Sequence, residues 1–268
     1  MMSAQLSRLA LAATLIGCAA AAPPAVRPSA DPIVIAHNLV ALEVESGVFR
    51  VTHTLPPAPA NSLVYVTEGG AVVLADTPWT PAATRELLAW VEVRFGGPPA
   101  LAILTHFHLD AAGGVGALRE AGVRVVASRE TASLLQERGE SMRVSLAEGD
   151  AAFEGWSVGE AGELFDAAEG FRATVGGEAV QAIFPGAAHT RDNLVVYFPA
   201  RRVLFGGCMV KGGDNLGNLV DADIAAYASS VARLEALGAR LVVPGHGERL
   251  DLGQLAHTRR MAEDAANE

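Results

Sequence analysis

Cysteine, aromatic residues and charge are all scarce in this chain. Only Cys18 and Cys208 occur among 268 residues, which excludes a small scaffold stapled by disulfides. Aromatics make up 6% and charged residues 19% against 50% hydrophobic residues, so the chain is no polyelectrolyte and can bury one large core. Lys and Arg total 20 against 30 Asp and Glu, a net charge of −10 with no basic block, which argues against a nucleic-acid partner. No apolar run approaches the roughly 20 residues that a membrane-spanning helix needs, and no internal repeat is present.

The N-terminus reads as a targeting segment. Arg8 supplies a positive start, residues 9–16 form a short apolar core, and Leu15-Ile16-Gly17-Cys18 resembles the lipobox of bacterial lipoproteins, in which the cysteine becomes the lipidated first residue. Residues 1–18 are then a signal peptide and 19–32 a Pro/Ala-rich tether to a single domain, 33–268. The alternative is an ordinary secretory peptide cleaved within 19–22. Either reading exports the protein to the periplasm. Ala19 and Ala20 after the cysteine point to an outer-membrane lipid anchor through Cys18, and ordinary cleavage to a soluble periplasmic form. A lipidated Cys18 leaves Cys208 without a disulfide partner in an oxidising compartment, which marks it as a metal-bound or reactive thiol. The other reading is a buried free cysteine acting as a small hydrophobe.

Short apolar or alternating runs at 39–44, 48–54, 63–67 and 72–75, separated by Glu45-Ser46-Gly47 and Glu68-Gly69-Gly70, predict an antiparallel sheet. Thr80 before Pro81 starts a helix that ends near Gly96-Gly97. A βα alternation follows: strand 101–104, helix 114–120, strand 123–127, helix 130–138. Strands at 171–175, 180–184, 194–198 and 203–205 come next, then helices 222–237 and 252–266 around strand 241–243. One set of strands and helices per half predicts an α/β fold of two mixed sheets packed face to face with helices on the outer faces, a four-layer αββα sandwich.

Metal-binding side chains lie in separate stretches: His106-Phe107-His108-Leu109-Asp110, His189, Cys208 and His246. Residues two apart share a face only in an extended segment, so His106 and His108 can grip one ion if the chain is extended where it leaves strand 101–104. His106, His108 and His189 make one tridentate set, and Asp110, Cys208 and His246 another. Three protein ligands with an open fourth position is the arrangement of a catalytic zinc, hence of a hydrolase.

These motifs, in order with Gly186-Ala187-Ala188-His189-Thr190-Arg191-Asp192-Asn193, Phe205-Gly206-Gly207-Cys208-Met209-Val210-Lys211, Leu216-Gly217-Asn218-Leu219 and Gly245-His246-Gly247, resemble the metallo-β-lactamase superfamily, specifically its class B dizinc subclass with a cysteine ligand. The resemblance runs from about Gly47 to Ala262. Most other hydrolases of the superfamily carry a further histidine directly after the Asp; here Ala111 stands there, and Cys208 takes the place of their bridging Asp. That exchange favours a β-lactamase over the alternative, a metallohydrolase of the same fold acting on lactones, thioesters or phosphodiesters. A zinc-binding envelope protein without turnover is a third reading.

The resemblance implies two Zn²⁺ per chain and zinc-dependent opening of the β-lactam amide of penicillins, cephalosporins and carbapenems by a metal-activated hydroxide, which confers antibiotic resistance. It implies that Asp110 orients the nucleophile, that Lys211 pairs with the substrate carboxylate, and that Asn218 donates to the lactam carbonyl, although an Asn after Gly217 also suits a tight turn. Asp76 is expected to accept from a ligand imidazole, and Asp192 and Asn193 to hold the loop of His189. Asp223 is expected to cap a helix or brace the loop after Lys211. The proline-rich segment 54–61 is expected to flap over substrate, with Trp79 lining the pocket floor or packing in the core. His37, His53 and His257 are expected to be ordinary side chains.

Overall fold

Most strand residues in this protein alternate between two dry cores rather than between core and water, which is why its strands read as nearly unbroken apolar runs. In the computed structural model, which describes residues 31–267, a first sheet has strands in the order β1 (Ile33–Ala36), β2 (Leu39–Glu45), β3 (Val48–His53), β4 (Ala60–Val66), β5 (Val72–Ala75), β6 (Leu101–Ile103), β7 (Val125–Ser128) and β8 (Glu163–Phe165). Pairing is antiparallel from β1 to β5 and parallel from β5 to β8. The second sheet runs β13 (Leu241–Gly247), β12 (Val203–Gly212), β11 (Val195–Phe198), β10 (Glu178–Ile183), β9 (Phe171–Val175), and only β12 and β13 are parallel. The expected signal peptide 1–18, the expected lipidation site Cys18 and all but the last two residues of the expected tether lie outside the described residues.

Leu63, Tyr65, Val73, Ala75, Leu101 and Ile103 face Val196, Phe198, Val203, Phe205, Leu241 and Val243 between the sheets. Tyr65 stacks on Phe198 there, with ring centroids 3.9 Å apart. The intervening residues point outward. Val64, Val72, Leu74 and Ala102 meet α1 (Pro81–Phe95), α3 (Val115–Glu120) and α4 (Arg129–Ala147), while Val195, Leu204 and Val242 meet α5 (Ile224–Glu235) and α6 (Gly253–Ala265). Three cores between four layers are the expected αββα sandwich. Among the described residues no helix is long and apolar enough to cross a membrane.

Helix α1 forms as its sequence predicts: the Thr80 hydroxyl accepts from the Ala83 N–H, Pro81 fills the first turn, and Gly96 closes the helix at φ 84°. Val93 on that helix points to water, 88% exposed. Three departures from the expected elements matter. Helix α4 runs to Ala147 rather than 138, because Leu146 and Met142 still find apolar partners on the first core. Strands β1 and β8 join the first sheet at its edges, where they were not expected. Strand β12 continues through Gly206-Gly207 to Gly212, and that extension carries two of the site residues.

Candidate metal centre

Beyond the end of β6 the chain reaches His106 and then His108, whose extended backbone (φ −68°, ψ 155°) precedes the single helical turn α2 (Leu109–Ala112). Asp110 therefore sits in a helical turn; the N–H groups of Ala111 and Ala112 both bond to the His108 carbonyl. The turn swings Asp110 under His106, leaving Oδ1 3.5 Å from Nε2.

His189 enters from the loop between β10 and β11. Asn193 holds that loop, accepting from the Thr190 N–H at 3.1 Å and donating to the Gly186 carbonyl at 2.9 Å. Asp192 lies buried beside it, and burial pushes its carboxyl up.

Cys208 and Lys211 lie on the extension of β12, beyond a break in register at Gly207, whose φ of 54° only glycine adopts readily. There β13 approaches so closely that a Cβ on Gly245 would fall 2.5 Å from the Cys208 nitrogen. This close contact of two glycine-bearing strands brings Cys208 beside His246.

The six side chains converge as two adjoining groups. Nitrogens of His106, His108 and His189 lie within 4.8 Å of one another, and His108 Nδ1 is 3.2 Å from His189 Nε2. In the second group Cys208 Sγ lies 3.3 Å from Asp110 Oδ2 and 3.2 Å from His246 Nε2, and the last two atoms are 3.0 Å apart.

Proton bookkeeping identifies what these atoms lack. His246 Nδ1 lies 2.8 Å from the Pro59 carbonyl, which can only accept, so Nδ1 carries a proton and Nε2 is the nitrogen directed at Asp110 and Cys208. His106 Nε2 and Asp110 Oδ1 are buried without any hydrogen-bond partner. Burial pulls the His106 imidazole down to about 3 and the His189 imidazole well below its usual value, so both are neutral lone-pair donors at pH 7. Burial alone would raise Asp110, but the bond to His246 and the neighbouring imidazoles hold it well below the usual carboxylate range. Burial first, and Asp110 second, push the Cys208 thiol up. Converging lone pairs, orphaned buried donors and a thiol held beside a carboxylate fit a metal cation, which would favour the thiolate.

The sequence model of the family described as the metallo-beta-lactamase superfamily matches residues 24–246. The chain belongs to the metallo-β-lactamase superfamily. It is 34% identical over 204 residues to the metallo-beta-lactamase type 2 of Bacillus cereus, covering 75% of this chain and 72% of the relative. It is 32% identical over 225 residues to that of Pseudomonas aeruginosa, covering 81% of each. Among solved structures, the metallo-β-lactamase from Erythrobacter litoralis superposes with a TM-score of 0.71 at 30% identity over 87% of this chain and 100% of its own. That from Pontibacter korlensis gives 0.69 at 33% identity over 84% and 99%.

For this superfamily member the remaining site residues surround a cavity of about 610 Å³ above the two groups. Lys211 lines it from β12, almost wholly buried, with its backbone N–H bonded to Thr258 Oγ1 at 3.1 Å. Burial lowers its pKa, while Cys208 and Asp110 act to raise it. Asn218 stands exposed on the rim, where Oδ1 accepts from the Val220 N–H at 3.0 Å; this turn bond leaves the amide N–H groups as its available donors. Pro57, Ala58 and Pro59 of the segment 54–61 form one wall. Trp79 lines the base of that segment, donating from Nε1 to the Ala58 carbonyl at 3.1 Å, and also packs edge-on against Phe153.

Asp76 differs from expectation. It makes no bond to an imidazole: its oxygens accept from the Thr105 N–H at 2.7 Å and the Thr105 hydroxyl at 2.6 Å, and that hydroxyl lies 3.3 Å from His106 Nδ1. The support is one residue removed, because Asp76 sits at the end of β5 beside the backbone of β6. Asp223 caps α5 through the Ala226 N–H. His53 accepts from the Trp79 N–H, and His257 lies 3.2 Å from Asp214.

Sequence reasoning missed Asn61, which donates to the carbonyls of Pro244 and Gly247 on either side of His246, and Asp221, which sits 2.9 Å from His108 Nε2. It also missed the wall that Arg138, Met142 and Leu146 of α4 give the cavity. The only trace in the sequence was that apolar spacing continues to Leu146.

Proposed function

We propose that this protein is a zinc-dependent β-lactamase that opens the β-lactam amide of penicillins, cephalosporins and carbapenems. One zinc would be held by His106, His108 and His189 and a second by Asp110, Cys208 and His246. The observation that carries this reading is the convergence of the thiol, Asp110 and His246 Nε2 within 3.3 Å, next to the imidazoles of His106, His108 and His189. The names of the curated relatives and the presence of Cys208 in the second group support the substrate class.

Bound zinc would supply Lewis acidity to the carbonyl and the leaving nitrogen and would acidify a water to near neutrality. The chain's own residues do the rest. Asp110 is aimed between the two groups and orients the nucleophile. Lys211 is almost wholly buried, so its pairing with a substrate carboxylate is stronger than in water. Asn218 offers its amide N–H to the carbonyl oxygen on which charge develops. Trp79 and the proline-rich wall close the floor and one side. Export rests on the N-terminal segment alone: we read Cys18 as a lipid anchor that holds the enzyme at the outer membrane, facing the periplasm.

The test is hydrolysis of a chromogenic cephalosporin, a penicillin and a carbapenem by purified protein, with metal content measured in parallel. Turnover should vanish with chelator and return with zinc. Turnover that survives complete metal removal, or a metal-loaded protein inert on every β-lactam but active on a lactone or thioester, would overturn the reading.

A further inference from the structure

Asp221 accepts three hydrogen bonds at the edge of the imidazole group. Its Oδ2 lies 2.9 Å from His108 Nε2 and 3.1 Å from Arg138 Nη2, and its Oδ1 lies 2.5 Å from Arg138 Nη1. A carboxylate bonded this way only accepts, so His108 must carry its proton on Nε2. That leaves Nδ1, the atom 3.2 Å from His189 Nε2, as the lone-pair donor.

What holds Asp221 is less obvious, since it lies near the end of the irregular stretch 213–223, which has no strand or helix of its own. A short side chain on such a segment has several rotamers open to it. The planar fork of Arg138 removes that freedom, because two parallel bonds specify both the position and the plane of the carboxylate. Arg138 is well placed to do so. It projects from the middle of α4, and its guanidinium carbon lies 4.9 Å from the centroid of Phe107, the residue between the two histidines. Two residues beyond Asp221, the Asp223 N–H bonds to the Ala188 carbonyl at 2.9 Å, next to His189. The base of the stretch that bears Asn218 is thus fastened to both sides of the imidazole group.

We propose that Arg138 is a positioning residue: its two-pronged grip on Asp221 holds His108 in the metal-ready tautomer and orientation, and so sets the affinity of the three-imidazole site without touching metal or substrate. The inference rests on the reading of that group as a metal site. Partners that orient ligand histidines change metal affinity by roughly 10–100-fold when removed, and Arg138 stands one further step back, so a loss of about tenfold is expected.

The experiment compares the full chain with Arg138→Ala and Arg138→Lys. Zinc affinity is measured by competition with a chromogenic chelator. Cobalt(II) loading distinguishes the sites, since only the cysteine-containing one gives a thiolate charge-transfer band. Nitrogen-15 NMR of the metal-free protein reads the His108 tautomer, and thermal unfolding of the metal-free protein reads the fold. Arg138→Ala should lose about tenfold at the three-imidazole site with the thiolate band unchanged, and His108 should become a mixture of tautomers. Arg138→Lys, with a single-point ammonium, should recover part of the loss. Equal affinity and an unchanged tautomer in Arg138→Ala would overturn the proposal, and so would both sites weakening together with a drop in melting temperature. If Arg138→Ala fails to fold, Arg138→Lys decides, and a Lys variant indistinguishable from wild type would refute the role. A wild-type protein that takes up no metal would sink the proposed function, and the tautomer measurement would still judge Arg138.

Discussion

Replacing Asp76 by Asn should leave the fold standing and loosen the metal, whereas replacing it by Ala should damage the fold itself. Asp76 is buried and takes a left-handed φ of 61°, which Asn tolerates and Ala does not. Its carboxylate receives the Thr105 N–H and hydroxyl, so the hydroxyl has only a lone pair left for His106, whose Nδ1 must then be the protonated nitrogen. Burial raises the Asp76 carboxyl, with Asp110 and Asp192 adding to the rise, while the two Thr105 donors favour the anion. Asp76→Ala strips two buried donors of their acceptor, at a cost of about 3–5 kcal/mol including backbone strain, a large part of the roughly 5–15 kcal/mol that holds a domain together. In Asp76→Asn the amide oxygen must face the Thr105 N–H, so the amide N–H donates to the Thr105 hydroxyl. The hydroxyl proton then turns to His106 Nδ1 and sends the imidazole proton to Nε2, into the metal site. Zinc affinity should fall by about 10–100-fold while stability changes by about 1 kcal/mol or less. Urea unfolding of the metal-free variants, chelator competition and NMR of the His106 tautomer measure the three quantities. An Asn variant that keeps wild-type zinc affinity, or a wild-type His106 protonated on Nε2, would refute the reasoning.

Cys208→Ser should empty the Asp110/Cys208/His246 site far more than the three-imidazole site, because a hydroxyl is a poor substitute for a thiolate ligand; two zinc ions still tightly held after dialysis would count against the assignment. Lys211→Ala should raise KM for carboxylate-bearing β-lactams by roughly tenfold, as loss of a charge-assisted contact does, with kcat changed less; an unmoved KM would show that Lys211 does not anchor substrate. His53 is pulled by burial from 6.5 down to about 4. Between these values the unfolded chain binds a proton that the folded one refuses, so its contribution is complete above pH 6.5 and is lost as pH falls toward 4, by about 3 kcal/mol. Urea midpoints against pH for the wild type and His53→Asn should differ in slope over that window, and parallel curves would contradict the assignment.

Much of the fold was legible because its signals are local. Thr80, Pro81 and Gly96 bound α1 as capping chemistry requires, and the apolar runs of β4, β5, β11 and β13 could be read because both of their faces are buried. The errors have a common source. Gly206-Gly207 looked like the end of β12, yet close packing against Gly245 lets the strand continue, and only a partner strand can supply that information. Strand β8 is three residues long, with two exposed, and owes its existence to pairing with β7. The supports of the metal centre were hidden for the same reason: Asn61 reaches Pro244 across 183 positions and Arg138 reaches Asp221 across 83.

By itself the sequence determined the inventory: an α/β sandwich of two sheets and a family motif set with imidazole, carboxylate and thiol in a recognisable order. Residue type and short-range spacing suffice for that, because periodicity, capping and ligand chemistry are properties of neighbouring residues. Tertiary structure alone decided which nitrogen of each imidazole faces the site, that Asp76 reaches His106 through Thr105, and that Arg138 of α4 meets the carboxylate bonded to His108. Each of these depends on a hydrogen bond between remote segments, and such a bond exists only once the layers have packed.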